Sequence, residues 1–157
     1  MKKNSSTKEL KLSNNERLFL ESSSIFDPKK YDNLLPDGIK VYTFNSGFKK
    51  KLDDLLIIVF DKIATSINLY SKTSTPSAPI IWDRKNNRGK IKALIINSGN
   101  ANAHTGDRGI KIIDKYVRAL CKIIKCKKSE VLVSSTGVIG ELFDPELIIK
   151  QIIKLKS

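Results

Sequence analysis

The sequence predicts an α/β domain, with mixed sheets covered by helices. Two apolar runs rich in isoleucine and valine, at residues 91–97 and 130–135, each end in small polar residues and glycine. Buried strands have this composition where they deliver a backbone loop to a site. Between them, Asp107 is a suitable N-cap, and apolar residues then recur at helical spacing. A helix is therefore predicted to join the two strands through Ile110, Ile113, Val117, Leu120, Cys121 and Ile124.

Upstream of this unit, the apolar pattern predicts further strands. Residues 39–44 follow a turn and alternate as a strand does. The continuous apolar run at 55–60 indicates a strand buried on both faces. A strand-like pattern resumes at 64–70, with Ile67 and Leu69 on one face.

Two connections are expected to be irregular. Residues 73–77 contain Pro76 and resist regular structure, because proline removes a backbone donor. Residues 84–90 are charged and contain Asn86, Asn87 and Gly89, which predicts a solvated loop.

A last helix is predicted near the carboxyl end of the sequence. Asp144 is a suitable N-cap, Pro145 suits the first helical position, and Glu146 complements the helix dipole. A broad apolar face follows, made of Leu147, Ile148, Ile149, Ile152, Ile153 and Leu155. Because the sequence stops at Ser157 without a glycine cap, we expect that a continuation of the domain was lost.

The first 34 residues differ from the rest in composition. They are polar and rich in serine, asparagine and lysine, with short apolar patches and no sustained period. We predict a polar N-terminal arm at 1–34, followed by a partial domain at 35–157. The arm lacks the apolar core of a signal peptide, and no run approaches the length of a membrane span. A cytoplasmic protein without membrane contact is expected.

Charge and cysteine content limit the class of partner. Lysine and arginine total 29 against 16 aspartates and glutamates, a net charge of +13, but the excess is dispersed and mostly lysine. That pattern suits a solvated surface, so no nucleic-acid partner is predicted. The lone histidine without ligand spacing predicts no metal site. Cys121 and Cys126 belong to one helical region, so no disulfide between them is expected and the thiols should be reduced, with Cys121 as a small core residue.

Glycines concentrate at the ends of the two central strands. They are Gly99, Gly106, Gly109, Gly137 and Gly140. Glycine allows backbone to approach closely, so N–H groups there can hold an anion, a phosphate or a developing oxyanion. Spacing alone favours the simpler interpretation, that these glycines only make tight turns.

An ordered set of motifs resembles the ornithine acetyltransferase family. It comprises Asn-Ser-Gly-Asn-Ala-Asn-Ala at 97–103, Thr-Gly at 105–106 and Ser-Thr-Gly-Val-Ile-Gly-Glu at 135–141. Upstream, residues 54–61 and 75–80 resemble the same family. The collinear order of these motifs carries the resemblance, which implies the N-terminal half of the ornithine acetyltransferase fold. It also implies a helix after Ala-Pro, with Ile80, Ile81 and Trp82 packed inward.

This resemblance implies a bifunctional glutamate N-acetyltransferase/ornithine acetyltransferase of arginine biosynthesis. In that family a precursor cleaves itself into two chains, and the new N-terminal threonine of the second chain is the nucleophile. It takes the acetyl group of N-acetylornithine and passes it to glutamate. The implied assembly is a heterotetramer of two alpha and two beta chains. No cofactor is expected, with acetyl-CoA as an alternative acetyl donor.

The family's oxyanion donors, a Thr-Gly pair at the end of a strand, correspond to Thr136 and Gly137. The self-cleaving Ala-Thr, its preceding Lys-Gly-x-Gly-Met-Ile-type segment and the substrate-binding Lys and Thr have no counterpart before Ser157. We therefore expect this chain to supply the oxyanion hole but no nucleophile, and to be inactive alone. The coding sequence downstream of Ser157 is expected to encode the missing part.

Two other functions remain open. A strand, a glycine-rich loop and a helix start also occur in phosphate- or nucleotide-binding modules. However, Gly99 and Gly106 are too widely spaced for a P-loop, no Gly-Lys-Ser/Thr follows, and Asp107 places negative charge near the helix start. The other alternative is an inert scaffold fragment.

Polar residues near the glycines have simpler roles available. His104 follows a loop motif, and Ser98 does not sit in a Gly-x-Ser-x-Gly elbow, so a partly exposed loop histidine is expected. Asn97, Asn100 and Asn102 are expected to hydrogen-bond backbone in the turn.

Overall fold

The computed structural model describes residues 36–156. Its main elements are β1 (Ile39–Phe44), β2 (Leu55–Thr65), α1 (Ala78–Asn86), β3 (Lys90–Asn100), α2 (Gly106–Ile124), β4 (Val131–Val138) and α3 (Glu146–Ile153). Short 3₁₀ turns occupy Lys128–Glu130 and Lys154–Lys156. The predicted arm at 1–34 lies outside the described residues, and its separation from a domain at 35–157 stays a prediction.

The four described strands form one mixed sheet in the order β1-β2-β3-β4. β2 is antiparallel to both of its neighbours, whereas β3 and β4 are parallel. Parallel neighbours need a crossover, and α2 provides it, as the strand–helix–strand pattern predicted. The predicted α/β class with a mixed sheet and helices is therefore confirmed. Both central strands run three residues beyond their predicted ends, to Asn100 and Val138.

One face of the sheet carries the core. The register pairs Ile57 with Ile95 and Ile95 with Val133, so these side chains share a face. They pack with buried residues of all three helices, including Ile113, Val117 and Leu120 from the predicted face of α2. Burying each such side chain contributes about 1.5–3 kcal/mol. Tyr116 of α2 joins this core and is 1% exposed.

The opposite face of the sheet corrects one prediction. Leu56, Ile58 and Phe60 alternate with the buried residues of β2 and are only half-buried. Within the described residues, the run at 55–60 is therefore buried on one face only, and the expectation of burial on both faces is wrong for the second face. The helices of the core pack against the face that carries Leu55, Ile57 and Val59.

The predicted strand at 64–70 is wrong beyond Thr65. Thr65 pairs with Lys90, the first residue of β3, so the described sheet offers no partner further along. Ile67 and Leu69 are 90% and 96% exposed, so they share no buried face. Residues 73–77 contain no helix or strand, as predicted.

The predicted loop at 84–90 is partly helical, because α1 continues to Asn86. Pro79 lies in the first turn of this helix, where its fixed φ suits helical geometry. Asn87 then organises the connection. Its Oδ1 accepts from Gly89 N at 2.9 Å, and its Nδ2 donates to the carbonyl oxygens of Lys90 and Ser129 at 2.8 and 3.1 Å. Trp82 is buried as the resemblance implied, while its neighbours Ile80 and Ile81 are half-buried.

Helix starts differ slightly from their predicted positions. The N-cap of α2 is Thr105, and Asp107 lies in the first turn instead. The Thr105 hydroxyl donates to Asn102 Oδ1 at 2.8 Å, which fixes the loop before the helix. Before α3, the N-cap is Pro145, one residue later than the predicted Asp144, and Asp144 Oδ1 accepts from Glu146 N at 3.0 Å just ahead of the helix.

Asp83 of α1 is a buried carboxyl group against the edge strand β4. It is 7% exposed, and its Oδ1 accepts the N–H of Val133 at 3.1 Å. Burial raises the pKa of Asp83 to about 7, although the hydrogen bond from Val133 opposes this shift. The carboxyl group thus accepts a hydrogen bond from a backbone N–H at the edge of the described sheet. Its burial makes ionisation unfavourable.

This carboxyl group predicts a pH-dependent stability. Between the ordinary carboxyl pKa near 3.8 and a pKa of about 7, the folded chain holds a proton that the unfolded chain releases. Stability should therefore fall as pH rises through this window. Asp83→Asn keeps an oxygen acceptor for Val133 and removes the ionisation, so it should be more stable than wild type at pH 8, by up to about 4 kcal/mol.

The measurement is urea unfolding of both proteins between pH 4.5 and pH 8, in steps of about 0.5 pH unit, which gives the change in unfolding free energy with pH. The two stability curves should diverge as pH rises. Curves that stay parallel across the window would show that Asp83 ionises normally in the folded chain.

Candidate functional site

The carboxyl ends of the parallel strands β3 and β4 meet at one edge of the sheet, where both sequences turn polar. Six of the ten positive-φ residues in the described chain lie at this edge, in 99–106 and 137–140. They are Gly99, Asn102, His104, Gly106, Gly137 and Gly140. Unusual backbone conformations concentrate at functional sites, so this edge is the candidate site.

A buried amide and a hydroxyl join the two strand ends. Ser135 Oγ on β4 donates to Asn97 Oδ1 on β3 at 2.6 Å. Asn97 is 1% exposed, and its Nδ2 donates to the carbonyl oxygen of Asn100 at 2.9 Å. Because an unpaired buried amide is costly, Asn97 holds both the turn after β3 and the end of β4.

Two further asparagines extend this network into the neighbouring loops. Asn100 Nδ2 donates to the carbonyl oxygen of Glu141 at 3.0 Å, and its Oδ1 accepts from Asn102 N at 2.8 Å. Asn102 is fully buried, with φ at 46°, and its Nδ2 donates to Gly109 O in α2 at 3.1 Å. The prediction that the asparagines bond to backbone is confirmed. Their burial links both strands to the start of α2.

Thr136 and Gly137 lie on the last residues of β4, and both are exposed. Gly137 has φ at +130°, and a Cβ built there would lie 2.3 Å from Gly99 C and 2.6 Å from Asn100 N. We expected this glycine to leave room for a ligand. Within the described chain it instead allows β4 to lie against the backbone of β3. The strand also continues past its predicted end at Ser135 to Val138.

The segment before β2 supports the same edge from the other side. Phe48 packs against Gly99, where a Cβ would approach the Phe48 Cβ to 2.6 Å. Its ring meets the ring of Phe143 edge-on, with centroids 5.0 Å apart. Gly99 therefore lies between β4 and this segment.

Buried Asp54 fixes that segment. Its Oδ1 accepts from Ser46 N at 2.7 Å and from Ser46 Oγ at 2.5 Å, and its Oδ2 accepts from Lys49 N at 2.8 Å. Burial disfavours the charged form, but the hydrogen bonds from Ser46 and Lys49 outweigh it, so the pKa of Asp54 lies below its ordinary value. The carbonyl oxygen of Asp54 also accepts from Ser98 N at 2.8 Å.

The roles of Ser135 and Asp54 were not predicted from the sequence. The one available signal was a polar residue directly beside an apolar strand, and this signal does not identify the group to which that residue hydrogen-bonds. His104 is exposed, as expected for a loop histidine, and Asp107 is exposed in the first turn of α2. Among residues 36–156, no group of three or more His, Cys, Asp and Glu side chains could hold a metal ion.

Comparison with known proteins decides the family. The sequence profile described as the ArgJ family matches residues 40–157. This chain belongs to the ArgJ family. The family resemblance drawn from the motifs is thereby confirmed.

Relatives of this ArgJ-family chain are longer proteins. It is 36% identical over 132 residues to the arginine biosynthesis bifunctional protein ArgJ of Bartonella henselae, covering 83% of this chain and 32% of that protein. It is 40% identical over 120 residues to the protein of the same name from Mesorhizobium japonicum, covering 74% of this chain and 29% of that protein. The chain thus spans about a third of the length of the curated relatives it matches.

Solved structures share the fold. The crystal structure of arginine biosynthesis bifunctional protein argJ from Bacillus halodurans superposes with a TM-score of 0.70 at 32% identity, over 74% of this chain and 62% of that one. Ornithine acetyltransferase from Mycobacterium tuberculosis, crystallised with ornithine, gives 0.71 at 24% identity, over 76% of this chain and 66% of that one. The second likeness concerns the fold alone. In the part of the chain that the structure describes, no helix is long and apolar enough to cross a membrane.

The contact between β3 and β4 predicts a sharp difference between two neighbouring glycines. Gly137→Ala should destabilise the domain by about 3 kcal/mol or more, because the new Cβ meets backbone and the positive φ is strained. Gly140→Ala is the matched control, since Gly140 has φ at +84° but nothing lies within 4 Å of its Cβ position. It should cost only about 1 kcal/mol of backbone strain.

Denaturant unfolding of the two variants and wild type measures this difference. Equal losses of stability at the two positions would mean that β4 does not lie against Gly99 and Asn100 in solution.

Proposed function

We propose that this chain is the N-terminal part of an acetyltransferase of arginine biosynthesis. The complete protein moves an acetyl group from N-acetylornithine to glutamate through an acetyl-threonine enzyme. This chain supplies the oxyanion hole, at Thr136 and Gly137, and the nucleophilic threonine belongs to the remaining part of the protein. The observation that carries the proposal is the family match over residues 40–157, which includes both residues.

The position of the Thr-Gly pair supports the proposed role. Thr136 is exposed at the end of β4, and its hydroxyl has no hydrogen-bond partner among residues 36–156. An oxyanion hole needs preorganised donors that do not have to move as charge develops. The neighbouring Ser135–Asn97 hydrogen bond and the seating of Gly137 against Gly99 hold this backbone in place.

The proposed reaction passes twice through a tetrahedral intermediate. The threonine hydroxyl attacks the acetyl carbonyl of N-acetylornithine, ornithine leaves, and the amine of glutamate then attacks the acetyl-threonine. In each step negative charge develops on the carbonyl oxygen. Thr136, through its hydroxyl or its backbone, and the Gly137 N–H would donate hydrogen bonds to that oxygen.

The other parts of this proposal concern the whole protein. The missing C-terminal, or beta, chain would arise by self-cleavage of a precursor, and two alpha and two beta chains would form the enzyme in the cytoplasm. No metal or organic cofactor is needed for acyl transfer to threonine. Acetyl-CoA is an alternative acetyl donor.

Kinetics of a Thr136 variant test the proposed site. Residues 40–157 replace the matching segment of the Mesorhizobium japonicum relative, so that the chain acts within a complete protein. Thr136→Ala should lower kcat for acetyl transfer by about 100-fold, because it removes a donor that acts as charge develops. KM should change much less, and Thr136→Ser, which keeps the hydroxyl, should retain most of the rate.

The variants are compared after self-cleavage and at matched thermal stability. Unchanged turnover in Thr136→Ala would remove the side chain from the mechanism and leave the Gly137 N–H as the donor. A chimera that folds and cleaves but transfers no acetyl group between these substrates would contradict the proposed function.

The alternative is a phosphate- or nucleotide-binding module at the start of α2. Exposed Asp107 in the first turn opposes it, because a carboxylate repels an anion at that helix end. Thermal-shift titrations with ATP and with duplex DNA at physiological salt should therefore give no saturable stabilisation. A salt-resistant shift with ATP would favour the nucleotide-binding module over the acetyltransferase.

A further inference from the structure

Cys121 and Cys126 lie close together at the C-terminal end of α2, whereas the candidate site includes the N-terminal end of this helix. The Sγ atoms of Cys121 and Cys126 are 3.6 Å apart, and both residues are free thiols and only partly buried. Neither residue contributes to the network at the ends of β3 and β4. Their proximity therefore requires a separate explanation.

The backbone of the helix end creates this proximity. α2 ends at Ile124, and Lys125 takes a left-handed conformation with φ at 54°. The N–H groups of Lys125 and Cys126 both donate to the carbonyl oxygen of Cys121, the second at 3.2 Å. The bond from Cys126 N to Cys121 O is the 6→1 bond of a Schellman helix end, in which the residue after the left-handed one packs against the last turn. Ordinarily two apolar side chains make that contact, and here two thiols make it.

We propose that Cys121 and Cys126 are a redox-active dithiol that closes to an intramolecular disulfide by exchange with a small-molecule disulfide such as glutathione disulfide. A disulfide bond is about 2.05 Å long, so the sulfur atoms must approach by roughly 1.5 Å. Each free thiol is accessible in part, and the backbone hydrogen bonds already hold the two residues together. This proposal departs from the expectation, drawn from the sequence, that the two cysteines form no disulfide, because Cys126 lies beyond the helix end and its Sγ is 3.6 Å from that of Cys121.

The two thiols are not equivalent. The hydrogen bond that Cys126 Sγ donates to Cys121 Sγ lowers the pKa of Cys121 and raises the pKa of Cys126. Around the pair, Lys128 favours the thiolate of Cys121 and Lys92 favours that of Cys126, while Glu130 opposes both and Asp114 opposes the first. Cys121 is therefore the attacking sulfur, since the thiolate is the nucleophile in exchange.

The exchange balances in two steps. The Cys121 thiolate attacks one sulfur of glutathione disulfide, which forms a mixed disulfide and releases one glutathione thiolate. Cys126 then loses its proton to solvent and attacks the Cys121 sulfur, which closes the protein disulfide and releases the second glutathione thiolate. Two protein thiols are oxidised and one small disulfide is reduced. The chain loses two hydrogen atoms, and no other oxidant is needed.

The test incubates the 157-residue chain with glutathione disulfide, alkylates the remaining thiols and measures intact and peptide masses. Wild type should lose two hydrogen atoms, have both cysteines protected from alkylation, and return to the dithiol with a small dithiol reductant. Glutathione left on either cysteine, or two thiols still open to alkylation, would overturn the proposal.

Variants and denaturant separate the folded geometry from simple closeness in sequence. Cys126→Ser should stop at the mixed disulfide on Cys121, whereas Cys121→Ser should react at Cys126 about tenfold more slowly. In urea, closure of the wild-type disulfide should be at least about tenfold slower, because the helix end no longer holds the thiols together. Equal closure rates in buffer and in urea would show that the fold does not promote the reaction.

Discussion

The backbone of β4 lies directly against that of β3 at Gly137, and the candidate site depends on this contact. A Cβ at Gly137 would lie 2.3 Å from Gly99 C and 2.6 Å from Asn100 N, far closer than van der Waals contact, so only glycine permits the register that the strands adopt. Gly99 is held in turn by Phe48 on its other side. The edge is thus a stack of three backbone segments, with Phe48 on one side of Gly99 and Gly137 on the other, and the glycines allow the segments to lie this close.

Polar groups buried beside this contact would be unfavourable without partners, and the asparagines provide those partners to one another. Asn97 and Asn102 are essentially inaccessible, yet each has its amide hydrogen-bonded to a carbonyl oxygen across the turn. A fully satisfied polar network specifies one arrangement, because any other leaves a donor unpaired in the interior. The network also includes Ser135, so it fixes the end of β4 directly before Thr136.

Local patterns in the sequence predicted much of the fold, but not the contacts between distant residues. Helical spacing identified the buried face of α2, and apolar runs identified β1, β3 and β4, of which β3 alternates regularly between buried and half-buried residues. The end of β2 failed because Ile67 and Leu69 alternate like a strand but have no strand to pair with. Val133, which bonds to Asp83, lies 50 residues away in sequence, and Ser135, which bonds to Asn97, lies 38 residues away. No local pattern could reveal either pair.

Gly137 has a packing role that the sequence did not predict. Gly137 had been expected to serve a ligand, yet its missing side chain is already required for packing against Gly99. In the proposed oxyanion hole, the donor from this residue would therefore be its N–H, and space for a substrate would have to lie beside the neighbouring exposed residues. Thr136, directly before Gly137, is an exposed residue that has a side chain. If the proposed oxyanion hole lies here, Thr136 is the position at which a variant can report on it, whereas a change at Gly137 would disturb the packing against Gly99 first.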